Sequence, residues 1–362
     1  MKGIFKIGVV LASLAVLLLF AWLTKLALHP VAHGIATTHF ARGYEMQKAG
    51  NLTGALTEYD RAIALDPSYY QAYDNRGLVK ATLGQIDAAI ADYDRAIALH
   101  PTEEKAFFGR GRARVFQRDP AAALADFDRA LQLNPKDGMA YGARSETKVT
   151  LGDLDGAKAD AERAVTLQPS ATTWNARSWV KRADGDLAGA LADLNQAIDI
   201  APKFARSYVS RGHVEFMLGQ WGDALADLRH FCELTHPPAQ DYPRFYIWLT
   251  RAHLGETEAA TSELASFWNQ RKVTKPDAWT STIAEFLLGQ ISEDQLLVAA
   301  KSPDAKKQRC QMCEAWYYSA EKKLLAGDRE SAAHDFQQCV ETEERDYIEY
   351  GLAKAELKQL GR

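Results

Sequence analysis

ALTEYDRAIALDP (Ala55–Pro67), AIADYDRAIALHP (Ala89–Pro101) and ALADFDRALQLNP (Ala123–Pro135) line up almost without adjustment, and looser copies follow them. These are AKADAERAVTLQP from Ala157, ALADLNQAIDIAP from Ala190 and ALADLRHFCELTH from Ala224, with successive spacings of 34, 34, 34, 33 and 34 residues. A constant period of this length predicts an all-α solenoid, in which each unit is a helical hairpin that buries its apolar face only against its neighbours.

The residues at each repeat position have physical reasons to be there. With the closing proline as position 32, Pro67, Pro101, Pro135, Pro169 and Pro202 stop the second helix of each pair, because proline cannot continue it. Position 8 is small throughout (Gly43, Gly77, Gly111, Ser145, Ser178, Gly212), as is position 20, occupied by alanine from Ala55 to Ala224. Small residues at both places let antiparallel helices approach closely, and Tyr59, Tyr93, Phe127, Leu194 and Leu228 at position 24 supply the knobs. Gly50, Gly84, Gly152, Gly185 and Gly219 sit where the first helix turns into the second, a place that needs positive φ. The third copy has Arg118 there, with Pro120 opening its second helix.

On these residues the stretch 36–236 resembles the tetratricopeptide-repeat (TPR) family. The resemblance implies a right-handed superhelical solenoid of antiparallel helix pairs. It also implies that positions 2, 5, 9, 12 and 13 of each first helix line an inner groove. Those positions hold Phe40, Tyr44 and Lys48, then Asp74 and Leu78, then Lys105, Phe108, Arg112 and Phe116. Further along they hold Trp179 and Arg182, then Arg206, His213, Phe216 and Met217. Aromatic, Met and Arg side chains left exposed are the usual composition of protein-binding hot spots, so protein or peptide ligands are the expected partners. The Lys/Asn clamp by which chaperone-binding members grip a C-terminal carboxylate is missing. Phe40 and Tyr44, then Asp74 and Leu78, stand at its positions, which argues against a co-chaperone.

One sub-pattern departs from the family. Position 7 is Arg in all six copies (Arg42, Arg76, Arg110, Arg144, Arg177, Arg211), and position 23 is acidic (Glu58, Asp92, Asp126, Asp160, Asp193, Asp227). Opposite charges at both places predict ion pairs between the two helices, read as register markers between stacked repeats. Such pairs contribute ~0–1 kcal/mol each where exposed.

Beyond Pro237 the period weakens, and residues 237–309 read as degenerate helical repeats around Gly255 and Gly289. Residues 310–362 recover one repeat and add an amphipathic segment, Tyr347 to Leu360, expected to cover the open end of the stack. Within this tail, Tyr317-Tyr318, Leu325, Gly327-Asp328, Ala332, Phe336 and Val340 precede Glu349-Tyr350, Ala353, Glu356-Leu357 and Leu360-Gly361. This run is similar to the C-terminal end of the bacterial NlpI lipoprotein family. The resemblance implies an envelope adaptor holding peptidoglycan endopeptidases and a protease together. The chain departs from that family in lacking a lipid-accepting Cys after its apolar segment and in having more regular repeats ahead of the tail.

At the other end, Lys2 and Lys6 precede an uncharged apolar run from Ile7 to Thr24, closed by Lys25. As a helix it reaches ~27 Å, close to a ~30 Å hydrocarbon core. Residues 1–28 are therefore expected to be a transmembrane anchor, with a cleaved signal peptide as the alternative. Two lysines before the run against one after it favour a cytoplasmic N-terminus, with the rest in the periplasm of a bacterial cell. Net charge is -4, with acids and bases interleaved, which argues against nucleic acid as a partner.

Chemistry-bearing motifs are few. Cys310-x-x-Cys313 lacks the second ligand pair that zinc needs and the βαβ setting of a redox site. In an exported protein a structural disulfide is the leading reading, Cys313 with Cys339 being the candidate pair, against free thiols or a metal. Pro30 separates His29 from His33, and Asn51-Leu52-Thr53 matches a glycosylation acceptor lying in a turn. No phosphate loop, dinucleotide fingerprint, zinc-protease or nucleophile-elbow motif is present, so no cofactor is expected. The function expected is a non-enzymatic scaffold of the cell envelope. A homo-oligomer whose groove accepts a helix from a second copy is the alternative. An enzyme with a site at 240–310, near Trp248, Trp268 and Trp279, is a third.

Overall fold

The computed structural model describes residues 31–271 and 276–362. The apolar run read as a membrane anchor lies outside these residues. Among the described residues no helix is long and apolar enough to cross a membrane. The chain divides into two compact units, Met1–Pro135 and Lys136–Arg362.

Unit 1 is built of hairpins: α1 (31–48) with α2 (Leu52–Leu65), α3 (Tyr70–Thr82) with α4 (Ile86–Leu99), and α5 (Glu104–Phe116) with α6 (Pro120–Leu133). Each second helix starts and stops for local reasons. Asn51 accepts the Gly54 amide at 3.0 Å and Asp119 the Ala122 amide at 3.0 Å, satisfying donors that a helix start leaves unpaired. The residue before each closing proline turns extended (Asp66 φ -134°, His100 φ -141°, Asn134 φ -133°), as the proline ring demands. Between the helices of a pair the backbone turns left-handed at Gly50 (φ 77°) and Gly84 (φ 76°), and Arg118 takes the same conformation at φ 57° without being glycine.

The small residue at position 8 faces the knob at position 24. A Cβ on Gly111 would stand 2.7 Å from the Phe127 ring, and one on Gly43 would stand 2.8 Å from Tyr59. Serine replaces glycine only where the knob shrinks. Ser145 and Ser178 lie opposite Ala161 and Leu194, and both hydroxyls are satisfied by carbonyls one turn back, at 2.7 Å.

The predicted ion pairs form in five repeats, but they are neither exposed nor simple. Arg76, Arg110, Arg144, Arg177 and Arg211 each grip the aspartate 16 residues later through Nε and Nη2, at 2.5–3.0 Å. These aspartates are almost fully buried, Asp126 being 2% exposed. A second cation one turn on, Lys80, Arg114, Lys148 or Lys181, reaches the same carboxylate at 2.7–3.0 Å. The free Nη1 then crosses to the preceding hairpin: Arg76 to Asp60 and Arg110 to Asp94 at 2.6 Å, Arg177 to Glu162 at 2.8 Å, and Arg211 to Asn195 at 2.7 Å. One arginine therefore fixes its own hairpin and its neighbour together. The first repeat is the exception, because Glu58 pairs with His39 (2.7 Å) and Arg61 while Arg42 stays exposed.

Unit 2 continues with α7 (Gly138–Leu151), α8 (Leu154–Leu167), α9 (Ala171–Asp184), α10 (Leu187–Ile200), α11 (Ala205–Met217) and α12 (Trp221–Leu234). Then come α13 (Asp241–His253), α14 (Thr257–Arg271), α15 (Ala278–Leu287), α16 (Glu293–Ala299), α17 (Ala305–Leu325), α18 (Arg329–Glu341) and α19 (Ile348–Gln359). Traces of the repeat code persist where the sequence has decayed. Arg251 reaches Glu263 at 2.7 Å across the same 12-residue spacing as Lys80 and Asp92, and Lys323 reaches Asp335 at 2.6 Å likewise. Within the 240–310 stretch Trp248, Trp268 and Trp279 are all buried, and the Trp279 indole donates to Glu314.

The last helix packs on the final hairpin, α17 and α18, and reaches the inner side of unit 2 as well. Gln359 donates to the Met217 carbonyl oxygen at 3.0 Å, and Glu349 accepts from the Tyr246 hydroxyl at 2.7 Å. Cys313 and Cys339, the candidate pair, lie together: Cys313 sits mid-helix in α17, its sulfur is 3.3 Å from that of Cys339, and both residues are fully buried.

Candidate protein-binding groove

In unit 1 the first helices of three hairpins leave a groove of about 1210 Å³. It gathers Phe40, Tyr44, Asp74, Leu78, Lys105, Phe108, Arg112 and Phe116 from the candidate set, whereas Lys48 stands outside the lining with its ammonium 5.6 Å from the Tyr44 ring. Three of the apolar members are exposed, Phe116 by 66%, Tyr44 by 45% and Leu78 by 42%, while Phe40 and Phe108 are half-buried. Large apolar side chains in one exposed concave patch mark an interaction surface, since single exposed hydrophobes are ordinary but contiguous ones are not. Arg112 lies 5.9 Å over the Phe108 ring, giving the patch a cationic rim.

Asp74 is the polar centre of this groove. Among the described residues no hydrogen bond or salt bridge reaches its carboxylate; burial, with Glu103 nearby, pushes it up to about 6, against a smaller opposing pull from Lys105. Tyr93 rises from the floor, its hydroxyl 2.9 Å from where a Cβ on Gly109 would be, so that glycine makes room for the ring. Tyr70, Tyr93 and Glu103 line the same space without having been anticipated. The repeat register places Tyr93 in the hairpin core, and Tyr70 and Glu103 flank the start of their helices, outside the positions that it flags.

Unit 2 treats its candidates differently. Phe216 is fully buried and Met217 is 6% exposed, so neither offers a surface for a partner; α13, the Trp221 ring and α19 enclose them. His213 is enclosed with them, and burial, helped by the adjacent Arg182, holds its imidazole down at about 3, hence neutral. Trp179 and Arg182 line a smaller pocket beneath α19, and Arg206 stays at the surface, paired with Glu146 at 2.6 Å. Among the described residues no cluster of three or more His, Cys, Asp or Glu could hold a metal ion. His33 instead pairs with Asp66, and Asn51 is taken up as a helix cap.

Comparison with known proteins matches this geometry. Models described as TPR repeat or tetratricopeptide repeat match residues 43–84, 70–103, 108–172 and 143–205. A tetratricopeptide repeat protein from Parabacteroides merdae superposes with TM-score 0.53 at 18% identity, over 70% of this chain and 97% of that one. The APC/C hetero-tetramer Cut9–Hcn1 gives TM-score 0.57 at 15% identity, over 68% of this chain and 47% of that one. At such identities the likeness is one of fold. The hairpins of residues 43–103 and 108–205 are tetratricopeptide repeats.

Proposed function

We propose that this protein is a scaffold whose unit 1 groove recruits a protein or peptide partner. One observation carries the reading: an open groove of about 1210 Å³ keeps aromatic side chains in solvent around a carboxylate that no described residue hydrogen-bonds or pairs in a salt bridge. An unpaired, largely desolvated charge lowers stability, and perturbed groups in a cleft are a common footprint of function. The partner suited to the groove is an extended or helical segment with apolar anchors and a hydrogen-bond donor or cation for Asp74. In-cell photo-crosslinking tests this. A photoreactive phenylalanine at Phe116 should capture a discrete partner, while the same residue at exposed Ile200 in unit 2 should not; equal capture at both positions counts against the groove.

The finer reading is an adaptor of the bacterial envelope, held in the inner membrane by residues 1–28 with the repeats in the periplasm. The apolar run from Ile7 to Thr24 supports the anchor, and the NlpI-like tail supports recruitment of peptidoglycan hydrolases or proteases. Carbonate-washed membranes should retain the tagged protein; release into the soluble fraction would point to a cleaved leader. In the competing arrangement a second copy supplies the helix that fills the groove, and light scattering of the purified protein distinguishes a monomer from that assembly.

A further inference from the structure

We propose that the pocket beneath α19 in unit 2 binds a small organic anion, a carboxylate or phosphate carried on a flat apolar body. The pocket encloses about 420 Å³, within the range of small-molecule sites. Its charge is one-sided. Arg182, Arg345, Lys354 and Lys358 line it, and the one lining carboxylate, Asp184, is already held by Lys158 at 2.6 Å.

Arg182 is the deepest of these cations. Its Nη1 is sealed from solvent and has no hydrogen-bond partner, while the guanidinium lies 4.2 Å over the Trp179 ring. Burial lowers this arginine to about 10, and the nearby Tyr246 and Glu349 only partly oppose that. Glu349 is itself pushed up by burial and accepts from the Tyr246 hydroxyl, and among the described residues no hydrogen bond joins it to Arg182. A buried donor left unsatisfied is costly, and the guanidinium adds its charge to the pocket that it lines. The Trp179 indole Nε1 is a second enclosed donor without a partner on the same wall.

The rest of the pocket suits an apolar body. Val149, Leu154, Leu187, Met217 and Tyr350 are among its lining residues. Gly351 lines the pocket beside Arg182: a Cβ there would stand 3.6 Å from Arg182 Nη1, an ordinary contact distance. Glycine weakens a helix interior relative to alanine, so its presence in α19 costs stability and leaves room. A ligand seated here would bridge α9 to α19 and secure the last helix on the inner face.

Calorimetric titration of the full chain tests the site, with phenyl phosphate and phenylacetate as probes, and benzyl alcohol and inorganic phosphate as controls. Saturable binding of either aromatic anion, at least tenfold tighter than benzyl alcohol, is the expected result, and the stronger of the two identifies the anionic group. Binding should weaken at least tenfold in Arg345→Gln/Lys354→Gln, whose side chains are superficial, and vanish in Gly351→Leu, which fills the pocket without removing a charge. Inorganic phosphate should bind more weakly than phenyl phosphate. Absence of saturable binding by both anions, equal affinity for benzyl alcohol, or unchanged affinity in the two variants overturns the proposal.

Discussion

Gln359 donates a hydrogen bond to the main-chain oxygen of Met217, 3.0 Å away and 142 residues earlier in the chain. Through this contact and the Tyr246–Glu349 bond, α19 lies on the inner side of unit 2, whereas the first helices of unit 1 leave an open groove. The same repeat positions consequently do different jobs. Phe116 presents its ring to solvent, and Phe216 is core.

That difference has a measurable consequence. Phe216 packs against Trp221, Tyr246 and His253, with ring centroids 4.9, 6.0 and 5.7 Å away. Phe216→Ala should therefore cost about 3–5 kcal/mol. Phe116→Ala should change stability by less than about 0.5 kcal/mol. Urea denaturation of both variants checks the pair; similar losses would mean that the two rings share an environment.

The network around Asp126 is a structural element, not a surface ornament. Asp126 accepts from Arg110 and Arg114 and is 2% exposed, so Asp126→Ala strands two cations against the hairpin. Removing one partner of a buried pair costs about 3–5 kcal/mol. By contrast Glu45→Ala, which breaks an exposed pair with Lys48 at 3.5 Å, should cost less than about 1 kcal/mol. Thermal melts at low and high salt report both.

Hairpin closure depends on the missing side chain at position 8. Gly111→Ala places a methyl 2.7 Å from the Phe127 ring and should destabilise by about 1–3 kcal/mol. Gly222→Ala meets nothing within 4 Å and should be neutral or stabilising by up to about 1 kcal/mol. If both glycines tolerate alanine equally, the close approach of the helices is not as described.

Asp74 should make stability depend on pH with a definite sign. Its folded-state value of about 6 lies above the ordinary 3.8, so the folded chain holds this proton more tightly than the unfolded chain. Stability from this group is therefore full below about pH 4 and falls as pH rises to 6. Asp74→Asn should stabilise by about 2–3 kcal/mol at pH 7, with the gain disappearing near pH 4. The same variant should lose partner affinity, which separates a functional carboxylate from an incidental one. Denaturation midpoints between pH 4 and 8 give the profile.

The hairpins were legible because their signals are local. Pro67, Gly84 and Ala89 each act through backbone or nearest-neighbour geometry that repeats with the sequence. The Arg110–Asp126 pairing was legible for the same reason, but its burial and its reach to Asp94 were not, since they depend on how two hairpins stack. Least legible was the groove of unit 2. Its fate is decided by a helix far along the chain, and the apolar faces of α19 carry no mark of which surface they will meet. In unit 1 the register flagged Phe108 and Phe116 but missed Tyr70 and Glu103, which enter the site from helix starts.

The most direct test pans the full chain against a displayed random-peptide library and measures selected peptides by fluorescence anisotropy. Recruitment through unit 1 predicts peptides with apolar anchors whose affinity drops at least tenfold in Phe108→Ala/Phe116→Ala and in Asp74→Asn, and holds within twofold in Arg206→Ala. Peptides that bind those groove variants as tightly as the unaltered protein would contradict the account.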